Sequence, residues 1–219
     1  TAATIAMLTA DGSNNNANNV AATNVATNAA TMNAGTMNAG TMNATDMNAT
    51  EVLTYASTPR EQVDILVHVL AHESFHAGLR QVERDAPGWA GFGPRAMSAY
   101  AHVARVLLDE GVAHYVDWRT RPGADTLFTA VPGGRERRAF SQLTLAAKRL
   151  SQRADPGARA EILQLASTGP LWSKYGAISG MFAAYRIEST FGVDSLRAAV
   201  ASGPREFMRM YGGVAASDT

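Results

Sequence analysis

The segment His72-Glu73-Ser74-Phe75-His76 lies inside a stretch whose pattern predicts one long helix, from Thr58 to Asp85. Thr58-Pro59-Arg60-Glu61 combines a capping hydroxyl, a proline at the first helical position and a glutamate at the third, which is a capping box. Apolar residues then recur at helical spacing from Val63 to Leu79, and Asp85-Ala-Pro-Gly88 ends the pattern. The two histidines therefore sit on a helix.

Two imidazoles four positions apart on a helix stand one turn above each other, so His72 and His76 can reach one metal ion. Glu73 lies to one side of the pair, where its carboxylate can meet a water on the ion instead of the ion itself. The alternative is that both histidines are core residues satisfied by hydrogen bonds. The pattern predicts a metal site on this helix.

A zinc site of this kind needs a third protein ligand and an open fourth position. The chain has no cysteine, so the candidates are downstream carboxylates and the other histidines, His68, His102 and His114. Glu110 is the best candidate, because an acidic residue in the apolar helix around Leu107–Asp117 loses hydration unless it is paired or bound to a cation. Asp109 is expected to point about 100° away, toward solvent. The small Gly111 and Ala113 are expected to let this helix approach the first one closely, so that Glu110 reaches the two histidines.

The rest of the chain after residue 50 also reads as helical, because helix-starting Pro, Gly, Asp or Ser precedes each apolar stretch. Residues 124–134 are expected to form a loop, or a short hairpin at most, and the only other strand candidates are 4–8 and 51–55. The predicted fold class is mainly α. The further predicted helices cover about 94–119, 136–153, 157–167, 172–190, 194–201 and 204–211.

Residues 1–50 have a different composition from the rest of the chain. They hold all 11 asparagines and only two charged residues, Asp11 and Asp46. Met-Asn-Ala recurs every five residues from Met32 to Met47, a period that fits neither a helix nor a strand. We predict a low-complexity arm over 1–50, which is disordered, draped over the domain or an artefact, and a zincin-like domain over 51–219.

His-Glu-x-x-His followed by a helix with Glu-Gly-x-Ala resembles the gluzincin group of zinc metallopeptidases. Residues 60–211 more closely resemble a bacterial family of zinc-dependent peptidases known mainly as a domain of unknown function. The resemblance implies that His72, His76 and Glu110 bind Zn²⁺. It also implies that Glu73 is the general base for a metal-activated water that cleaves a peptide bond. The segments that carry it are Leu70–Ala77, Leu107–Tyr115, Gly169–Gly176 and Pro204–Tyr211.

The resemblance leaves the remaining catalytic parts less defined. Tyr175 resembles an aromatic-Gly element of the family and is the candidate donor for the developing oxyanion, with His114 as the competing candidate. Thermolysin-like enzymes have an aspartate where this chain has His114, so the partner that orients a ligand histidine stays open. Asp117, one turn further on, could supply that carboxylate in a second shell, together with His114.

Charge and hydropathy exclude several other classes. The 19 basic residues balance 19 acidic ones, so no overall field favours nucleic acid or a membrane surface. No apolar run approaches the roughly 18 residues of a membrane span, and the first residues do not resemble a signal peptide. A soluble protein of unknown compartment is expected, and export in a processed form stays open because the chain begins with Thr1.

The sequence thus favours a zinc metallopeptidase that acts on a peptide or a small amide. Zincins usually pair the substrate backbone with a sheet edge, and the sequence offers little for a sheet, so a short substrate fits best. The alternative is a non-enzymatic, metal-stabilised helical binding module. The sequence does not indicate cleavage preference, oligomeric state or protein partners.

Overall fold

The computed structural model describes residues 58–93, 97–129, 134–152 and 155–217. Within these ranges the chain is mainly helical and contains no strand, which confirms the predicted class. Two short 3-10 helices, Pro87–Trp89 and Leu171–Ser173, lie between the longer elements. The α-helices are α1 Pro59–Asp85, α2 Ala99–Arg119, α3 Ala124–Thr129, α4 Gly134–Ser151, α5 Pro156–Gln164, α6 Tyr175–Phe191, α7 Val193–Ser202 and α8 Pro204–Ser217.

The start of α1 is fixed by the predicted capping box. The Glu61 backbone N–H donates to Thr58 Oγ1 at 3.2 Å, and the Thr58 N–H donates to Glu61 Oε2 at 2.9 Å. Both donors would otherwise lack a partner at a helix N-terminus. This start sets the register of the 27-residue helix that carries His72 and His76.

Helices α2 and α6 form the centre of the core and touch backbone to backbone. A Cβ on Gly180 would collide with the carbonyl oxygen of Leu107, and a Cβ on Gly111 would collide with the Gly180 backbone. Only glycine permits so close an approach. Gly111 faces α6, so the expectation that it lets α2 approach the helix with the two histidines is wrong.

Helix α1 packs on this core along a narrow face. His72 and Leu79 are its only buried residues, while Val63, Val67 and Leu70 are all exposed. A helix that buries a histidine in preference to those three apolar side chains is positioned by more than hydrophobic burial.

The predicted loop over 124–134 is wrong for its first part, because Ala124–Thr129 forms α3. The Phe128 ring stacks on Tyr185 at 4.4 Å between centroids and meets the edges of Tyr115 and Phe182. These contacts with α2 and α6 stabilise a helix too short to form alone.

Other boundaries differ modestly. Helix α8 continues to Ser217 instead of ending near 211, and its Val214 is buried in the core. Burial of this side chain offsets the low helix propensity of the preceding glycines. The strand candidates at 4–8 and 51–55, the low-complexity arm and its boundary near residue 50 lie outside the described residues. None of the described helices combines the length and apolarity that crossing a membrane requires.

Candidate metal centre

The candidate centre lies on the seam between α1 and α2, which run antiparallel. Going backwards along α1, His76 contacts Asp109, the His72 ring lies beside His114, and His68 contacts Thr120. Each step of four residues on α1 is matched by five or six residues on α2 and its C-cap, in the opposite direction. The three histidines of α1 therefore all face α2.

The two imidazoles and one carboxylate converge at the middle of this seam. His72 Nε2 lies 3.0 Å from His76 Nε2. Glu110 Oε2 is 3.9 Å from His72 Nε2, and Glu110 Oε1 is 3.8 Å from His76 Nε2. One ligand atom from each residue lies within 4.8 Å of the others, so the three form a group able to hold a metal ion.

Asp109 orients one of the two imidazoles. Its Oδ1 lies 2.7 Å from His76 Nδ1. The prediction that Asp109 points to solvent is therefore wrong: on the seam, the outward turn of 100° brings it against α1. A proton held on Nδ1 by the carboxylate leaves the lone pair of Nε2 directed at the candidate centre.

Arg105 in turn holds the carboxylate cluster on the outer side of His76. Its guanidinium donates to Glu83 Oε1 at 2.6 Å and to the Phe92 carbonyl at 2.6 Å, and it lies 3.8 Å from Asp109 Oδ2. The spacing of four between Arg105 and Asp109 was a signal in the sequence for this ion pair.

The surroundings shift the pKa values of the two imidazoles in opposite directions. Burial, followed by the charges of His76 and Lys174, lowers the pKa of His72 to about 4. Burial also acts to lower the pKa of His76, but the hydrogen bond and charge of Asp109, with the charges of Glu110 and Glu73, raise it above its ordinary value. Burial raises the pKa of Glu110. A divalent cation would compensate the cost of burying this carboxylate.

The donor set fits zinc. Two imidazole nitrogens and one carboxylate oxygen form a three-ligand hydrolytic set, and tetrahedral bonds of about 2.0–2.1 Å place ligand atoms about 3.3 Å apart. The two Nε2 atoms are 3.0 Å apart, which is close to that spacing. Glu110 Oε2 lies 3.9 Å from His72 Nε2, and its other oxygen, Oε1, lies 3.8 Å from His76 Nε2.

Glu73 is exposed on α1 between the two imidazoles. It follows His72 directly in the chain, so it lies about 100° around the helix from that ligand. It is not one of the three converging ligands. This position agrees with an acid that meets a water or substrate at the centre.

His114 and Asp117 were predicted to support the ligand histidines from behind, and only His114 contacts one of them. The His114 ring is 4.7 Å from the His72 ring and fully buried, and neither of its nitrogens has a hydrogen-bond partner among the described groups. Asp117 pairs with Arg121 at 2.7 Å and lies 3.4 Å from His68, one turn from the centre. His114 thus touches a ligand histidine, whereas the observed contacts of Asp117 are with Arg121 and His68.

Tyr175 makes a structural contact. Its hydroxyl donates to the Ile162 carbonyl at 2.8 Å, and the side chain is buried where α6 begins. Burial raises the pKa of this hydroxyl further. Its assignment as oxyanion donor remains a prediction, since that role requires the hydroxyl to leave Ile162.

Comparison with known proteins adds a family. Residues 16–219 match the model of a family described as "Putative zinc dependent peptidase (DUF5700)". The match begins well before the predicted domain boundary near residue 50 and spans most of the chain. No curated protein and no solved structure matches the chain.

Proposed function

Since the chain belongs to this family of zinc-dependent peptidases, we propose that it hydrolyses peptide bonds at the centre formed by His72, His76 and Glu110. The observation that carries the proposal is the convergence of these three ligands beside a histidine whose Nδ1 is already held by Asp109. A half-buried carboxylate and two imidazoles that face it serve a metal ion better than they serve a helical core.

Each residue has a distinct part in the proposed reaction. His72 and His76 would hold the ion through Nε2, and Glu110 would hold it through its carboxylate. Asp109 keeps the His76 proton on Nδ1. When bound, zinc supplies a water of lowered pKa and a Lewis acid for the substrate carbonyl.

Glu73 moves the proton. Its exposed carboxylate accepts a proton from the attacking water and delivers it to the amine of the leaving peptide. We propose the division of roles that gluzincins use, because the pattern of His72, Glu73, His76 and Glu110 in the sequence resembles theirs. We also propose a short peptide or small amide as substrate, because the described part of the chain offers helices and loops and no strand edge to pair with a long one.

The direct test is elemental analysis of the purified protein, followed by incubation of the zinc-loaded protein with a mixed library of short peptides. We expect one zinc per chain and new peptide termini identified by mass spectrometry, both abolished by a chelator and restored by zinc. Stoichiometric zinc without any cleavage would contradict the peptidase assignment and favour a metal-stabilised binding module.

A further inference from the structure

Arg135 is an exposed cation in the first turn of α4, and its guanidinium lies over the Trp172 ring, 3.9 Å from the ring centroid. We propose that this pair binds a carboxylate of the peptide substrate and thereby anchors the peptide along the seam that leads to the candidate metal centre. The inference rests on the proposed function and narrows its substrate to short peptides that carry a carboxylate some distance from the cleaved bond.

A neighbouring arginine shows how such a pair is completed. The Arg121 guanidinium lies over the Trp118 ring, 4.3 Å from the centroid. Its N–H groups donate at the same time to the Asp117 carboxylate, to Oδ2 at 2.7 Å and to Oδ1 at 3.1 and 3.2 Å. A guanidinium over an aromatic face keeps the N–H donors along its edge available, and the two oxygens of a carboxylate match that edge.

Arg135 repeats this arrangement without the carboxylate. Its guanidinium is at least as close to its tryptophan as in the first pair. Among the described residues, however, it has no hydrogen-bond or ion-pair partner. The adjacent Glu136 does not supply one, because it pairs with Arg186 at 3.1 Å. The exposed edge of Arg135 is therefore available to a carboxylate from another molecule.

Helix stability does not explain the placement of Arg135. A positive charge near a helix N-terminus is unfavourable, because the helix dipole is also positive there. An arginine that served only solubility would extend its guanidinium into water, whereas that of Arg135 lies over an indole. Arg137 is also exposed on α4, about 160° further around the helix, and no ring of the described residues lies under its guanidinium.

A chain of contacts joins this arginine to the seam between α1 and α2. The centroid of the Trp172 ring lies 6.2 Å from that of the Trp118 ring. Trp118 follows His114 by four residues and Glu110 by eight. It therefore lies two turns further along the same side of α2, about 12 Å along the helix axis from Glu110.

The side chains along this route are partly exposed. The exposed fraction is 31% for Glu110, 13% for His68 and 18% for Arg121, and both tryptophans are half-buried. These groups form a surface on which an extended peptide reaches from the candidate ligands to the exposed arginine. Because an extended chain advances about 3.3 Å per residue, a span of about 12 Å or more corresponds to about four or more residues.

The chemistry of the ligand follows from the geometry of the donors. A planar fork of N–H groups held against an indole selects a planar anion with two oxygens, which a carboxylate is. A peptide carries this group at its C-terminus or on an acidic side chain. The two sources present the same chemistry, and the experiment distinguishes them.

The variants change exposed side chains of α4. Arg135→Gln removes the charge, and Arg137→Gln is the matched control because it removes an equally exposed charge from another side of the same helix. Thermal unfolding establishes that each variant is folded. If Arg135→Gln does not fold, Arg135→Lys replaces it, since an ammonium cannot form two parallel hydrogen bonds to a carboxylate.

The first readout is calorimetric binding of hexapeptides to the full chain, with a chelator present so that nothing is cleaved. One peptide is compared in three versions: with a glutamate and an amidated C-terminus, without glutamate but with a free C-terminus, and with neither carboxylate. We expect the wild type and Arg137→Gln to bind a carboxylate version about tenfold more tightly than the uncharged one, and Arg135→Gln to lose this preference. The version that shows the effect identifies the source of the carboxylate. A wild type without the preference, or a preference that survives Arg135→Gln, overturns the proposal.

The second readout is steady-state cleavage by the zinc-loaded proteins. We expect Arg135→Gln to raise KM about tenfold for the carboxylate version with little change in kcat, and to leave cleavage of the uncharged version unchanged. A lower kcat at unchanged KM overturns the anchoring role. A wild type that binds the peptide through Arg135 but cleaves nothing contradicts the proposed function alone, whereas cleavage that Arg135→Gln does not alter contradicts this inference alone.

Discussion

Asp109 Oδ1 lies 2.7 Å from Nδ1 of His76, across the seam between two helices that are 33 residues apart at this contact. This pair decides which nitrogen of His76 faces Glu110 and His72. It also links the candidate centre to Arg105 and Glu83 on its outer side. His76 is therefore held in place by Asp109, which Arg105 and Glu83 support in turn, and none of these three residues is among the candidate metal ligands.

Asp109→Asn is expected to weaken zinc binding by roughly tenfold or more, because the substitution removes the charge that makes His76 a stronger base and fixes its tautomer. Zinc affinity is measured by competition with a chromophoric chelator. Asp194→Asn, which changes an exposed carboxylate paired with Arg197, is the matched control and should bind as the wild type does. Unchanged affinity in Asp109→Asn would mean that the hydrogen bond does not support the metal ligand.

Glu73→Gln is expected to retain stoichiometric zinc and to lose at least about 10²-fold in kcat, since the amide cannot accept a proton from water. Glu161→Gln, an exposed glutamate on α5, is the control and should leave both quantities unchanged. Metal content and cleavage rate are measured on the same preparations. If Glu73→Gln turns over normally, another base acts in the reaction.

Gly180→Ala is expected to destabilise the fold by about 1–3 kcal/mol or more, because its Cβ meets the backbone of Leu107 and neither helix can yield without opening the core. Gly78→Ala provides the opposite case: it lies on the exposed side of α1 with no atom near the new Cβ. That substitution should stabilise by about 0.5–1 kcal/mol through helix propensity. Chemical denaturation measures both, and equal effects would contradict the backbone contact of α2 with α6.

The metal-free protein is expected to lose stability as the pH falls below the ordinary histidine pKa of about 6.5. Burial first, and then the charges of His72 and Lys174, hold the pKa of the fully buried His114 well below its usual range. The unfolded chain therefore binds a proton at His114 at a pH at which this side chain is still neutral in the folded protein. This contribution is fully present above pH 6.5 and is lost toward acid pH at up to about 1.4 kcal/mol per pH unit.

His76 acts in the opposite direction, because its pKa is raised, so the test is a difference between proteins. Urea unfolding of the wild type and of His114→Leu is compared from pH 7 to pH 5 in the presence of a chelator. The free energy of unfolding should depend less on pH in the variant than in the wild type. If His114→Leu does not fold, His114→Gln replaces it in the comparison. Parallel curves would show that the protonation of His114 does not cause the loss of stability at acid pH.

The three candidate ligands, His72, His76 and Glu110, show what can be inferred from the sequence of single helices. The spacing of His72 and His76 fixes their relation within one helix, whatever the rest of the fold does. Glu110 was identified because a carboxylate in an apolar helix needs a partner. Both arguments depend on properties of single helices, which the sequence encodes directly.

Asp109 and His114 show where such arguments end. Their surroundings depend on the side on which α1 packs against α2. The angular position of Asp109 on α2 was predicted correctly. The surface that it faces was not, because the spacing of residues along one helix does not distinguish solvent from a neighbouring helix. Helix α3 was not predicted for the same reason, since Phe128 is partly buried by contacts with distant residues.

The sequence by itself determined the mainly helical class, the capped start of α1 and the two imidazoles that rise one turn apart from it. Only the tertiary structure decided which groups surround them. Asp109 contacts Nδ1 of His76, the His114 ring contacts the His72 ring, and the Glu110 carboxylate lies near Nε2 of both histidines. Helical geometry is set by contacts within a few residues. The packing of α1 against α2 depends instead on distant parts of the chain, because Gly180 lets α6 approach α2 closely and α1 packs on the surface of α2 that stays accessible.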